Sequence, residues 1–446
     1  MTVTDVRDDL KARLQSTIER DAPALTRFAE DIADHPELGF REERTATKVA
    51  EGLRALGLTV EEGIGVTGLR ARLKMAGEGP TIAVMAELDA LPVPDHPRAD
   101  PKTGAAHACG HNAQLTHLLA VATALVACDA VRELCGTIVF LAVPAEEFVD
   151  LEWRAELARA GKIEFLGGKA ELIRKGAFAD IDIAMMVHAS GMPSSNRLSV
   201  CWHFNGFVAK QYRFVGKAAH AGGAPFLGIN ALNAATLAIQ AMNAQRETFR
   251  DEDHIRVHPI ITHGGSSINV VPADVRVETF VRGSTLDTIA AAAHKIDRAA
   301  KSGAFAVGAA LEIDTLPGYL PLHMDRALGS VFGENAVPIV GHDHYGEVPF
   351  IAACTDAGDL SHILPVLHPN HGGYVGGNHT AEFAVSDATD AYITPAKAMA
   401  GTLVDLLSNR AERALGIIRA FKPELTPDAY LAKMRAFTTK ERFVYD

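Results

Sequence analysis

The sequence predicts an α/β protein: a mostly parallel central sheet flanked by helices, with a ferredoxin-like α+β domain inserted into it. Two changes of texture predict this. In the N-terminal half, short apolar runs alternate with helical periodicity, the pattern of strands buried between helices. From about Leu198 the runs become period-two and are separated by two helix patterns, a compact β-α-β-β-α-β unit. At 446 residues the chain is long enough for both domains.

The elements follow in order. Leu10, Leu14, Ile18, Leu25, Phe28 and Ile32 recur near one face of a helix from Asp5 to His35, and His35-Pro36 closes it because proline disfavours helix in the residue before itself. A second helix is expected from Glu42 to Leu56, then strands at GLRARLK (68–74) and TIAVMA (81–86) and an apolar helix from about Ala113 to Cys128. Strands Thr137–Val143, stopping at Pro144, and Ile181–Val187, stopping at His188, continue the alternation. In the insert, strands are expected at Phe207–Val215, Ile255–Thr262 and Asp274–Arg282. The first insert helix, Gly228 to about Glu247, carries the apolar stripe Ile229, Leu232, Ile239 and Met242. A small domain has limited core of its own, so one face of this helix is expected to pair with a second subunit; the plainer reading is packing onto the insert's own sheet. The second helix is expected to start after Ser284 as N-cap, with Asp287 three positions on. A helix from about Thr394 to Leu407 and a helical tail end the chain. The expected domains are thus 1–197 with 318–446, ending in a C-terminal helical tail, and the insert 198–317.

Composition removes several classes of function. With 43 Lys+Arg against 55 Asp+Glu the net charge is -12, and no basic patch is visible, so neither nucleic acid nor an anionic membrane is an expected partner. The longest apolar stretch, Leu118–Cys128, falls far short of the roughly 20 residues that span a bilayer, and the charged start has no signal-peptide core. The expected compartment is the cytoplasm. Five cysteines, an odd number without a Cys-x-x-Cys pair, argue against a disulfide framework.

Ligands of an open α/β sheet sit beyond the carboxyl ends of its strands, so the informative residues are those where apolar strands stop. Glu87-Leu88-Asp89 follows TIAVMA, Glu146-Glu147 follows TIVFLAV-Pro-Ala, and His188 follows IDIAMMV; HACGHN (107–112) opens a helix, and Asn378-His379-Thr380 lies in a late loop. Each has a plain alternative: a lone histidine is more often hydrogen-bonded structure, adjacent carboxylates a solvated turn, a free cysteine an inert core residue. Together they match the N, O and S donors of a zinc-like site. Two unpaired like charges directly after an apolar strand are costly without a cation. Gly110 lets the backbone approach closely, and a helix N-terminus favours the Cys109 thiolate. A cysteine hydrolase using Cys109 and one histidine competes, but leaves the carboxylate pair and the other histidines unused.

HACGHN, PAEEF, MMVH, GKAAHAGGAP, GGSSINVVPADVRVE, TDAGDLS and NHT occur in this one order. As a set they resemble the dinuclear metallopeptidase and aminoacylase family of amidohydrolases, in the branch of hippurate hydrolase, indole-acetyl-amino-acid hydrolases and aminobenzoyl-glutamate hydrolases. The resemblance runs from HPELGFREERTA at His35 to the helix ending near Leu407. It implies a metallopeptidase-type catalytic domain with the insert as lid and dimerisation domain. It further implies Cys109, His111, Glu147, His188 and His379 as ligands of two divalent cations (zinc, manganese or cobalt) and Glu146 as general acid/base. His220 of the lid is implied to reach the active site of a partner subunit, and Asn269 and Arg282 to hold a substrate carboxylate. The implied reaction is hydrolysis of the amide of an N-acyl amino acid, or of a similar small amide with a free carboxylate, in a homodimer or higher homo-oligomer built through the lid. The cations would acidify a water from a pKa of about 15.7 towards about 7. A dipeptidase or carboxypeptidase of the same family, or a non-catalytic protein that kept the fold, are the alternatives. The chain departs from the pattern twice. Glu87-Leu88-Asp89 stands where many relatives have His-x-Asp, leaving Asp89 as a support behind the ligands and Glu87 as support or substitute ligand. After Glu147 come Phe148-Val149-Asp150 and a helical insertion, LEWRAELARAGKIEF, in place of glycines. Phe148, Trp153 and Phe165 there are candidates for an acyl pocket or for packing of the insertion's helix.

Overall fold

The computed structural model describes residues 3–192 and 194–444, which fall into two compact units. The first holds the chain up to Trp202 together with His323–Phe350 and Asp359–Pro427; the second holds His203–Leu322, Ile351–Gly358 and the chain from Asp428 on.

The first unit is built on a six-stranded sheet in the order Val60–Ile64, Gly68–Lys74, Cys135–Val143, Gly77–Glu87, Ile183–Met185, Val366–Leu367. The last four are parallel and the first two antiparallel, so the hairpin edge is the exception in a mostly parallel sheet. The four parallel strands are buried over most of their length, which is why the longer ones read as continuous apolar runs rather than as alternation. Helices Val3–Ala33, Glu43–Ala55, His111–Ala127 and Thr394–Leu407 contribute to a large core of this unit. The helix His111–Ala127 is buried almost all round, so it has no solvent face and little amphipathic signal. A smaller four-stranded sheet, Tyr345–Val348, Leu198–Cys201, Asn370–His371 and His188–Ala189, lies in the same unit.

Register brings the strand ends together. Glu87 pairs with Val143, and the Leu88 N–H bonds the Val143 carbonyl at 2.9 Å, so Glu87–Asp89 and Pro144–Glu147 leave the sheet side by side. Val84 pairs with Met185, and three residues further in each strand come Glu87 and His188.

The second unit is an antiparallel sheet, Arg256–Val257, Asp274–Gly283, Gly206–Val215, Ala310–Pro317, Thr439–Phe443, with Ile260–His263 also paired to Asp274–Gly283. Helices Ala231–Ala244 and Leu286–Val307 share its core.

Three expectations need correction. The insert begins near His203 rather than at 198, because Leu198–Cys201 pairs with Tyr345–Val348 of the first unit. The tail is not wholly helical and not wholly in the first unit: Thr439–Phe443 pairs with Ala310–Pro317 as an edge strand of the second. Ile229, Leu232 and Ile239 pack in part against the core of their own unit, and Met242 is buried in it. The cap of the second helix is Thr285, not Ser284: its hydroxyl accepts from Thr288 N at 3.2 Å, and the Thr288 hydroxyl receives the Thr285 N–H at 3.1 Å. Among the described residues no helix is long and apolar enough to cross a membrane.

Candidate functional site

The site forms in the first unit where the parallel strands end. Gly110 caps the helix His111–Ala127 with a left-handed φ of +84°. A Cβ there would sit 2.4 Å from that of Ala189, so glycine alone allows the Cys109–His111 turn to lie this close to the strand carrying His188. His379 comes from the late loop; its φ is +66°, and its N–H bonds the Ala108 carbonyl at 2.8 Å. A non-glycine residue in this region is strained, as at many functional sites.

The five residues read as ligands converge. Donor atoms of Cys109, His111 and His188 lie within 4.8 Å of one another, and so do those of Cys109, Glu147 and His379. Cys109 is common to both triads. Its Sγ is 3.5 Å from His188 Nε2 and 3.3 Å from His379 Nε2, and Glu147 Oε1 is 3.1 Å from the same His379 nitrogen. Glu87, His111 and Glu146 form a third triad of the same compactness, with Glu146 Oε2 3.9 Å from His111 Nε2.

Hydrogen bonds fix which ring nitrogens point inward. His111 Nδ1 donates to the Asp89 carbonyl at 2.8 Å, and His188 Nδ1 donates to the Ala189 carbonyl at 2.8 Å. In the neutral rings both Nε2 atoms therefore keep a lone pair for the site. Asp89 also braces the carboxylate turn, its Oδ2 accepting the Glu147 N–H at 2.9 Å.

The electrostatics are those of a cluster held together by charge. Burial and the Glu147 carboxylate push the Cys109 thiol up, but His188 and His379 outweigh them and bring it down to about 5. Burial raises the Glu147 carboxyl, and His379 more than reverses this, taking it to about 2. The same carboxylate lifts His379 to about 11. Burial lowers His111, yet Glu87 and Asp89 raise it well above the usual imidazole range.

Buried polar atoms here lack aligned hydrogen bonds: His111 Nε2, Glu147 Oε1 and Asp89 Oδ1. Orphaned donors at such a place need an explanation. Two triads of S, N and O atoms sharing Cys109 offer one, because such a donor set can hold divalent metal ions.

Other residues entered the site without a sequence signal. Lys169, fully buried, donates to Glu87 Oε1 at 2.6 Å, and Gln114 donates to Glu87 Oε2 at 2.8 Å. With Lys169 on one oxygen, Glu87 is held as an anion facing His111, 3.0 Å from its Nε2. Asn378 Nδ2 approaches Cys109 Sγ at 3.8 Å. His107, expected only as part of its motif, is buried and pushed down to about 3 by burial and by His111, and it joins neither triad. Phe148 and Phe165 are buried, while Trp153 lies half-buried beneath the Arg41 guanidinium at 3.8 Å.

The remaining candidates lie in the second unit. His220 is exposed, and its Nδ1 accepts the N–H groups of Gly222 at 3.2 Å and Gly223 at 3.0 Å. Those donors require the Nε2–H tautomer of the neutral ring, which leaves a donor facing outward. Asn269 lies alongside, its carbonyl accepting from Ala221 N at 2.9 Å. Arg282 does not join them. Val215 pairs with Asp274 at one end of the hairpin, and the ladder runs on outward through Ala219–Val271 and His220–Val270, whereas Arg282 pairs with Phe207 at the other end. Asp274 and Arg282 are roughly 27 Å apart at about 3.4 Å per residue. Asn269 and Arg282 of one chain therefore lie towards opposite ends of this strand pair.

Comparison with known proteins agrees with this geometry. Residues 205–306 match the peptidase dimerisation domain family, M20_dimer. The chain is 28% identical over 447 residues to the Xaa-Arg dipeptidase of Mus musculus, covering 95% of this chain and 94% of that one. It is 31% identical over 321 residues to a subunit of the p-aminobenzoyl-glutamate hydrolase of Escherichia coli (strain K12), covering 68% of this chain and 58% of the relative. Its fold is that of a dinuclear metal-binding peptidase of the M20 family from Bacillus subtilis, with a TM-score of 0.64 at 21% identity over 87% of this chain and 99% of the other. Residues 205–306 thus carry the peptidase dimerisation domain of the M20 family, and the relatives to which the chain is similar are hydrolases and peptidases.

Proposed function

We propose that the protein is a metal-dependent hydrolase that cleaves the amide bond of an N-acyl amino acid, or of a similar small amide ending in a free carboxylate. The observation that carries this reading is the pair of donor triads joined at Cys109, with Glu146 beside them. Cys109, His111 and His188 would hold one divalent cation, and Cys109, Glu147 and His379 the other. Bound there, such ions supply Lewis acidity, polarising a carbonyl and acidifying a water.

The chain's own residues do the rest. Glu146, buried and near His111 but outside both cysteine triads, takes the proton of the attacking water and returns it to the departing nitrogen. Asp89 holds the Glu147 peptide and the His111 ring in place for this. His220 offers an outward Nε2–H, suited to an oxygen gaining negative charge. Because His220 and Asn269 share one end of the second unit and Arg282 the other, they serve one substrate only across a dimer. His220 and Asn269 of one protomer then meet a substrate whose carboxylate is gripped by Arg282 of the other, a guanidinium suited to two parallel hydrogen bonds.

A dipeptide is the second reading, favoured by the nearly full-length similarity to an Xaa-Arg dipeptidase. Reconstitution with zinc, manganese and cobalt in turn, followed by assays on p-aminobenzoyl-glutamate, other N-acyl amino acids and Xaa-Arg dipeptides, tests both. Turnover lost to chelation and regained with metal is expected. Hydrolysis resistant to chelators but blocked by thiol reagents would support a cysteine hydrolase instead.

A further inference from the structure

The helix Leu151–Arg159 lies in the segment where the chain departs from the family pattern, and it carries a fully buried arginine, Arg154. Its guanidinium donates to the carbonyl of Leu166 at 2.6 Å, to that of Glu147 at 2.5 Å and more loosely to that of Ala145 at 3.5 Å. Burying a cation against carbonyls alone is costly, and a leucine would fill the space without that cost.

Two of the three contacts fall on one turn. Ala145 has a φ of +50°, a left-handed conformation for a residue with a Cβ, immediately before the two carboxylates. Its neighbours fix the turn on every side. Glu42 Oε1 accepts the Ala145 N–H at 2.8 Å, Gly168 N donates to the Ala145 carbonyl at 3.0 Å, and Asp89 accepts the Glu147 N–H at 2.9 Å. Arg154 closes the set at the Glu147 carbonyl. The loop opposite is shaped to receive it: a Cβ on Gly39 would lie 2.4 Å from Arg154 Nη2, and the guanidinium stands 5.4 Å over the Phe40 ring.

We infer that Arg154 is a positioning residue for Glu146 and Glu147. By locking the Glu147 carbonyl it sets the peptide planes of the turn, and with them the directions in which both carboxylates leave the backbone. The inference rests on the hydrolase reading above and deepens it, since it makes the helical segment a strut for the carboxylate pair.

Arg154→Met keeps the length of the side chain and removes its donors, Arg154→Lys keeps the charge, and Arg159→Ala alters the exposed side of the same helix. For each, manganese binding to the metal-free protein is followed by titration calorimetry. Melting is recorded alongside, with kcat and KM for p-aminobenzoyl-glutamate or an Xaa-Arg dipeptide, whichever the wild type turns over. Arg154→Met is expected to bind an ion about ten- to a hundred-fold more weakly, the usual cost of losing a group that orients a ligand. Its kcat is expected to fall by a similar factor at unchanged KM, with Arg154→Lys restoring part of both and Arg159→Ala matching wild type. A folded Arg154→Met that keeps wild-type ion affinity and kcat overturns the inference, even with a lowered melting temperature. If Arg154→Met does not fold, the folded Arg154→Lys decides: ion binding and kcat below wild type support the inference, and wild-type values of both overturn it. A wild type that binds no manganese, zinc or cobalt would instead remove the hydrolase reading, and this inference with it.

Discussion

The carboxylate of Asp89 accepts the backbone N–H of Glu147 at 2.9 Å, so a residue just past the end of one strand fixes a carboxylate just past the end of its neighbour. The same residue's carbonyl takes His111 Nδ1 at 2.8 Å. Asp89→Ala is therefore expected to weaken ion binding about ten- to a hundred-fold without touching a donor atom. Calorimetric titration of the metal-free variant checks it; wild-type affinity would mean that the turn holds itself.

Because Cys109 belongs to both triads, Cys109→Ala is expected to reduce occupancy at both ion sites, while His188→Ala and His379→Ala each affect one. Elemental analysis after dialysis against a metal buffer distinguishes these outcomes. Two full equivalents retained by Cys109→Ala would show that the thiolate is not shared.

Glu146→Gln is expected to keep the ion content and lose turnover by about a hundred- to ten-thousand-fold, the usual worth of a general base. Retained activity would remove Glu146 from that role.

Mixing tests whether His220 acts across a dimer. Glu146→Gln and His220→Ala proteins, each inactive alone, are expected to regain up to about a quarter of wild-type activity when unfolded and refolded together, since one site in four would then be whole in a random dimer. No recovery, with heterodimers shown to form, would place His220 with its own chain.

Stability should depend on pH through Glu42, whose carboxyl is pushed up to about 7 by burial and by Asp89. A carboxyl raised on folding favours the fold while protonated. That contribution is full below its ordinary value of about 4.5 and is lost as pH rises through about 7. Glu42→Gln, which is similar in shape and always neutral, should gain in melting temperature relative to wild type between pH 5 and pH 8 in the metal-free protein. A gap moving the other way would mean that Glu42 is an anion throughout.

Much of the candidate site was legible because parallel strands announce their ends. GTIVFLAVP stops at two glutamates and IDIAMMV at a histidine, and side chains at such ends must meet. The groups behind the ligands were not legible. Lys169, Gln114, Glu42 and Arg154 are single polar residues in ordinary helix and loop patterns, and only tertiary contact makes them partners of Glu87 or of the Ala145–Glu147 turn. The edge strand Thr439–Phe443 failed for a related reason: it is exposed along nearly its whole length, so it carries no alternation to read. In the second unit, periodicity gave the stripe Ile229–Met242, of which Met242 is buried in the unit's own core and the rest is partly covered by it.

Anomalous diffraction from crystals of the wild type grown with excess zinc is the most direct measurement. Two peaks are expected, both within about 2.3 Å of Cys109 Sγ, one also touching His111 and His188 and the other Glu147 and His379. A single peak, or peaks that leave Cys109 unbound, would contradict the shared thiolate on which the proposed chemistry stands.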